Sequence, residues 1–132
     1  MSAKILYVED EDLVRDLVLE ELSDEGYQTI EADNGKAGLK AILEENPDLV
    51  LCDIGMPEMD GHALLVELRT NHPDLASMPF IFMTALADPQ QVLAGKRLGA
   101  DDYLTKPINF DVLHAVLIRM LEKRYEPPEG HC

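Results

Sequence analysis

Five times along this chain, a short apolar run is followed by a longer stretch of helical periodicity, and that alternation limits the folds open to it. The runs are Ile5–Val8, Tyr27–Ala32, Leu49–Cys52, Phe80–Met83 and Tyr103–Thr105. Strands alternating with helices predict an α/β fold with a parallel sheet covered on both faces. The first, third and fourth runs are apolar throughout, as strands buried on both faces should be. The second and fifth carry polar residues and suit the sheet edges. The expected architecture is therefore a doubly wound five-stranded parallel sheet of order 2-1-3-4-5.

The helical stretches carry their own punctuation. Glu11–Glu25 places Leu13, Val14, Leu17, Val18 and Leu22 at helical spacing, with Gly26 just past its end. Gly35–Glu45 is stopped by Asn46-Pro47, and about Gly61–Thr70 by Asn71-His72-Pro73. Asp88 is the expected N-cap of a fourth helix that opens on Pro89 and ends near Gly99. A fifth spans about Asn109–Arg124. At 132 residues the chain has length for one core and not two.

Charge excludes some partners. Eleven basic against 26 acidic residues give −15, and the first sixty positions alone hold 17 acidic and 4 basic side chains. Nucleic acid and anionic membrane both demand a basic footprint, so neither is an expected partner. No apolar run approaches the ~20 residues of a membrane helix. Cys52 sits in an apolar run and Cys132 ends the chain, so no disulfide framework is expected. With no secretory signal in Met1-Ser2-Ala3-Lys4, this fits a reducing, cytoplasmic compartment. Residues 125–132 read as a polar tail, a linker or tag remnant beyond a domain spanning 3–124.

In sheets of this kind chemistry gathers at the carboxyl ends of the strands. Glu9-Asp10-Glu11, Asp53, Thr84 and Lys106 stand there. Acids after strands often cap helices, and a lysine before proline is often a loop charge. Together, however, the four strand ends bring carboxylates, a hydroxyl and an ammonium to one rim. Converging carboxylates either hold protons at raised pKa or bind a cation. Mg²⁺ favours carboxylate, carbonyl and water oxygens, and a neighbouring free carboxylate can attack phosphorus to form an acyl phosphate. Lysine and threonine can then meet the phosphoryl oxygens.

Four stretches carry a family resemblance: Lys4–Glu11 (KILYVEDE), Asp53–Gly61 (DIGMPEMDG), Met83-Thr84-Ala85 and Gly99–Pro107 (GADDYLTKP). In order and content the chain resembles the receiver domain of two-component response regulators over roughly 3–124. The resemblance implies that Asp53 accepts phosphate from a histidine kinase or histidine phosphotransfer protein. It implies that Asp10, Asp53 and the Gly55 carbonyl ligate Mg²⁺, with Glu9, where many members have Asp, holding the ion directly or through water. Lys106 would pair with a phosphoryl oxygen across a cis bond to Pro107, and Thr84 and Tyr103 would form the switch. Such a domain is a phosphoacceptor, not an enzyme, promoting only its own phosphorylation and dephosphorylation.

Finer expectations follow from the same resemblance. Gly55 and Leu86 occupy the positions flanking the attacking water, and neither can orient it, so a long-lived phosphoaspartate is expected. The fourth helix, fifth strand and fifth helix would meet an output domain or partner protein. Lys96, Arg97, Asp101 and Asp102 lie on that face, but Val112 and Ile118 widen the apolar stripe of the fifth helix, which leaves open a homodimer or output contact of more apolar character. The acidic first helix (Glu11, Asp12, Asp16, Glu20, Glu21, Asp24, Glu25) would face a kinase surface carrying basic residues.

Other residues read as ordinary. His62, His72, His114 and His131 lack zinc spacing and read as surface histidines; Met56, Met59, Met78 and Met83 read as loop and core packing. The main rival is an aspartyl-phosphate hydrolase of the haloacid dehalogenase type, but Gly55 stands where its second acid belongs. A flavin carrier is disfavoured because no phosphate loop follows the first strand.

Overall fold

Each apolar run becomes a strand and each periodic stretch a helix in the computed structural model, which describes residues 3–56, 59–75, 77–84 and 89–124. In chain order these are β1 (Lys4–Val8), α1 (Asp12–Asp24), β2 (Gln28–Ala32), α2 (Gly35–Glu45), β3 (Leu49–Asp53), α3 (Gly61–Asn71), β4 (Phe80–Thr84), α4 (Pro89–Leu98), β5 (Asp102–Thr105) and α5 (Phe110–Arg124). All strand pairs are parallel, and the order is 2-1-3-4-5, as expected.

Alternation along the strands divides the core in two. Ile5, Tyr7, Leu49, Leu51, Ile81 and Met83 pack with Val18 and Leu22 of α1 and Leu113, Val116 and Leu117 of α5. Leu6, Val8, Val50, Cys52, Phe80 and Phe82 face the other way, onto Ile42 of α2 and Leu64, Leu65 and Leu68 of α3. Helix α4 packs beside α3. Each fully buried aliphatic or aromatic side chain contributes about 1.5–3 kcal/mol, so the central strands anchor the fold. Strand β2, at the edge, buries only Ala32 fully.

Local signals explain the boundaries. Gly26 has φ +95°, and the amides of Gly26 and Tyr27 reach back to the carbonyls of Ser23 and Leu22, closing α1 in a Schellman turn. Asn34 and Asp60 cap α2 and α3 by accepting from the amides of Ala37 and Ala63. The proposed cap Asp88 lies outside the described residues. One boundary differs usefully from the sequence reading: β3 and β4 each extend one residue further, to Asp53 and Thr84. Parallel neighbours continue the ladder there, pairing Asp53 with Met83 and Thr84 with Thr105. Both polar side chains therefore stand on the sheet itself.

Gly61 fixes the chain that leaves this edge. Its amide donates to the Ile54 carbonyl, and a Cβ at Gly61 would lie 2.5 Å from the Asp53 carbonyl oxygen and 2.7 Å from Phe82 Cε1. Backbone cannot retreat as a flexible side chain can. Gly61→Ala is expected to lower the unfolding free energy by about 1–3 kcal/mol, measurable by urea denaturation. Gly26→Ala, which meets nothing within 4 Å but keeps a left-handed φ, should cost about 1 kcal/mol.

Candidate functional site

The carboxyl edge of the sheet carries the charged groups. Glu9, immediately after β1, is fully buried; Asp10 is exposed; Asp53, the last residue of β3, is buried. Carboxylate oxygens of these three lie within 4.8 Å of one another. Glu9 is held from several directions. The Tyr7 hydroxyl donates to its Oε1 at 2.9 Å, the Glu11 amide approaches Oε2 at 3.3 Å, and Arg15 Nη1 donates to its backbone carbonyl at 2.8 Å. Arg15 is itself fixed by Asp12 and Glu31 at 2.6 and 3.1 Å.

Lys106 supplies the ammonium. Its Nζ lies 2.6 Å from Glu9 Oε1 and 3.6 Å from Asp53 Oδ1. Its amide donates to the Thr84 carbonyl, and the bond to Pro107 is cis, as the resemblance implied. Thr84 is buried at the end of β4. Tyr103 is half-buried and lies opposite Phe82 in the β4–β5 register, their rings 5.4 Å apart. Gly55 is exposed, with open space where a side chain would stand. Leu86 lies outside the described residues.

Electrostatics follow from this crowding. Burial, then the charge of Glu9, pushes the Asp53 carboxyl up from its ordinary 3.8 to about 6, with Asp10 adding to the rise and Lys106 opposing it. Burial pulls the Lys106 ammonium down, but its hydrogen bond to Glu9 and the charges of Asp53 and Glu9 outweigh that and raise it overall. Burial, reinforced by Glu9, drives the Tyr7 hydroxyl up, so it remains a donor. One ammonium thus faces three carboxylates. A hard divalent cation fits this oxygen-rich set, since it would relieve the repulsion that raises Asp53.

Sequence reading overlooked Tyr7 and misjudged His62. Tyr7 was legible as a hydroxyl-bearing residue inside an otherwise aliphatic strand, two positions before Glu9. His62, expected as a surface histidine, is half-buried with its ring perpendicular to Phe82, centroids 5.0 Å apart. It sits on the α3 face toward the sheet, where Phe82 gives it an aromatic neighbour. His114 is half-buried too and pairs with Glu21 across α1 and α5 at 2.7 Å. A second group, Glu21, Glu25 and His114, also brings ligand atoms within 4.8 Å of one another.

Residues 5–118 match the family model for the response regulator receiver domain. The regulatory protein AtoC of Escherichia coli (strain K12) is 39% identical over 119 residues, covering 90% of this chain and 25% of that protein. A probable transcriptional regulator, ycf27 of Cyanophora paradoxa, is 39% identical over 125 residues, 95% of this chain and 50% of the relative. The chain thus spans a quarter to a half of the curated relatives it matches. Among solved structures, the receiver domain of a signal transduction histidine kinase from Syntrophus aciditrophicus superposes with a TM-score of 0.87 at 36% identity, covering 97% of this chain and 96% of that one.

The raised Asp53 carboxyl has a measurable consequence for stability. Between the ordinary value of 3.8 and about 6 the folded state holds the proton more firmly than the unfolded chain does. This contribution is therefore present at low pH and lost as pH rises through that window. Asp53→Asn removes the penalty. Without divalent metal, the variant is expected to exceed the parent by about 1–3 kcal/mol above pH 6 and to match it near pH 4, read from denaturation midpoints across pH.

Proposed function

The chain belongs to the response regulator receiver domains of two-component systems, and from that premise we propose that Asp53 is its phosphoacceptor. The observation that carries the reading is the grouping at the sheet edge: buried Asp53 within reach of the Glu9 and Asp10 oxygens, with Lys106 Nζ between Glu9 and Asp53. The domain is a signalling module, and the comparisons give no support to the hydrolase alternative.

Glu9, Asp10, Asp53 and the Gly55 carbonyl would hold Mg²⁺, which when bound supplies positive charge that admits an anionic phosphoryl donor. Asp53 acts as an ionised carboxylate above about pH 6. One of its oxygens attacks phosphorus in line. The O–P bond forms as the P–N bond of the donor phosphohistidine breaks, and the electron pair leaves on the imidazole nitrogen. Lys106 exchanges its contact with Glu9 for a phosphoryl oxygen, and the Thr84 hydroxyl donates to another. Thr84 then draws toward the phosphoryl group and Tyr103 turns inward, so the modified state is favoured by contacts the resting state lacks.

Receiver domains of response regulators interact with histidine kinases, and the partner proposed here is a histidine kinase or histidine phosphotransfer protein. Helix α1 offers Leu13 and Leu17, 85% and 59% exposed, among its acids. An apolar contact ringed by basic residues on the kinase fits that surface. The output contact is assigned to the α4–β5–α5 face, where Leu93, Val112 and Ile118 are exposed and Arg119 pairs with Asp102 at 2.8 Å. An output domain, a partner protein or a second copy through this face are the alternatives. Residues 3–124 are proposed as the domain; residues 125–132, expected as a tail, lie outside the described residues. No helix among the described residues is long and apolar enough to cross a membrane, and a cytoplasmic setting is proposed.

Acetyl phosphate with Mg²⁺ tests the assignment. Intact mass should show one added phosphoryl group, stable in acid and labile in base, absent in Asp53→Asn; repeated turnover of small phosphate esters would overturn the reading. Lys106→Ala should still take up some phosphate but fail to change its partner affinity, because a charge partner rather than the nucleophile is lost. The phosphoryl group on the parent is expected to outlast a timescale of seconds with Mg²⁺ present, since Gly55 offers no side chain to orient water; stopped-flow or rapid-quench decay measures this.

A further inference from the structure

Two buried side-chain nitrogens have no hydrogen-bond partner among the described residues, His62 Nε2 and Arg69 Nη1, and both belong to α3. His62 is the one beside the signalling site. It follows Gly61, where a Cβ would collide with the Asp53 carbonyl, and its ring stands at 90° to Phe82 with centroids 5.0 Å apart. Phe82 lies on the same strand face as Thr84, two residues earlier, and opposite Tyr103 in register. The Phe82 and Tyr103 rings are 5.4 Å apart and tilted by 43°. Phe82 is thus flanked by His62 of α3 and Tyr103 of β5.

Packing alone does not call for an imidazole here. Phenylalanine or leucine would fill the place without desolvating a nitrogen, and an unpartnered buried nitrogen calls for an explanation. The switch supplies one. When Thr84 draws toward a phosphorylated Asp53, room opens on the strand face next to Phe82. Tyr103, already against that ring, is the side chain placed to enter, and His62 stands on the far side.

We propose that His62 is a positioning residue of the switch, its Nε2 being the acceptor that the Tyr103 hydroxyl gains when the ring turns inward over Phe82. The imidazole proton then resides on Nδ1. In the resting state the same ring stands perpendicular against Phe82. His62 thereby couples the segment leaving Asp53 to β5 and gives its own Nε2, unpartnered among the described residues at rest, a hydrogen bond in the inward state. This rests on the reading of Asp53, Thr84 and Tyr103 given above, and the test separates the two.

The full chain is treated with beryllofluoride and Mg²⁺. Fluorine NMR reports occupancy at Asp53, the His62 nitrogen shifts report hydrogen bonding at Nε2, and Tyr103 ring resonances report the inward fraction. On occupancy, Nε2 should shift to a hydrogen-bonded value, and Tyr103→Phe should abolish that shift. His62→Phe should bind beryllofluoride as the parent does and be no less stable at rest, yet its inward fraction should fall roughly threefold to tenfold, one neutral hydrogen bond's worth. His62→Gln should recover part of the loss. An Nε2 unchanged while the fluorine signal is present, or a His62→Phe variant that switches like the parent, overturns the role of His62. Absence of the fluorine signal in the parent overturns the phosphoacceptor reading instead.

Discussion

Three carboxylates share the carboxyl edge of a parallel sheet, with one ammonium between two of them. Water would normally screen such crowding, but Glu9 is fully buried and Asp53 nearly so. The repulsion persists only because the strands beneath are anchored on both faces, so the acids cannot separate. Much of the surrounding architecture serves that confinement. Tyr7 and Arg15 hold the Glu9 segment, the Thr84 carbonyl fixes the Lys106 backbone, and Gly61 lets the chain after Asp53 return close to the strand. Confinement of this kind raises the Asp53 carboxyl, and positive charge placed among these oxygens would relieve it.

Placement on strands limits what a change at the site can move. Asp53 and Thr84 are the terminal residues of β3 and β4, held by ladder pairing. A chemical change at Asp53 therefore meets a rigid floor, and displacement is confined to side chains and to the segments above the edge. Thr84, Phe82 and Tyr103 share one face of the sheet through alternation and register, so a movement of one has a defined neighbour to act on. Contiguity alone shows no coupling; a side chain with two alternative sets of partners does.

Much of this was legible in the sequence, for physical reasons. Strand order followed from which runs tolerate exposure: Tyr27–Ala32 and Tyr103–Thr105 carry polar residues, and they lie at the edges. Site residues were legible because the fold delivers strand ends to one rim whatever the details of packing. What sequence could not supply was depth. Glu9 and Asp10 are adjacent in the chain, yet one is fully buried and the other exposed; Glu9 is held by Tyr7 of its own strand, by Arg15 of α1 and by the distant Lys106. His62 was misread for the same reason. Helical spacing does not report that Phe82, twenty positions away, would offer its ring.

The net charge of −15 divides along similar lines. Only three acids belong to the pocket, and some of the others are matched locally: Asp12 and Glu31 by Arg15, Asp48 by the Lys4 amide, Glu21 by His114. The last turn of α1 is different. It has no basic residue, although a helix carboxyl terminus favours cations. Self-repulsion there weakens the isolated helix slightly and raises its attraction for a basic surface, especially at low salt. The exposed Leu13 and Leu17 lie further up the same helix. Charge can guide a partner to α1, but only the apolar contact can hold it once salt screens that charge. The acidity is therefore better suited to setting the rate and choice of encounter than the strength of the complex.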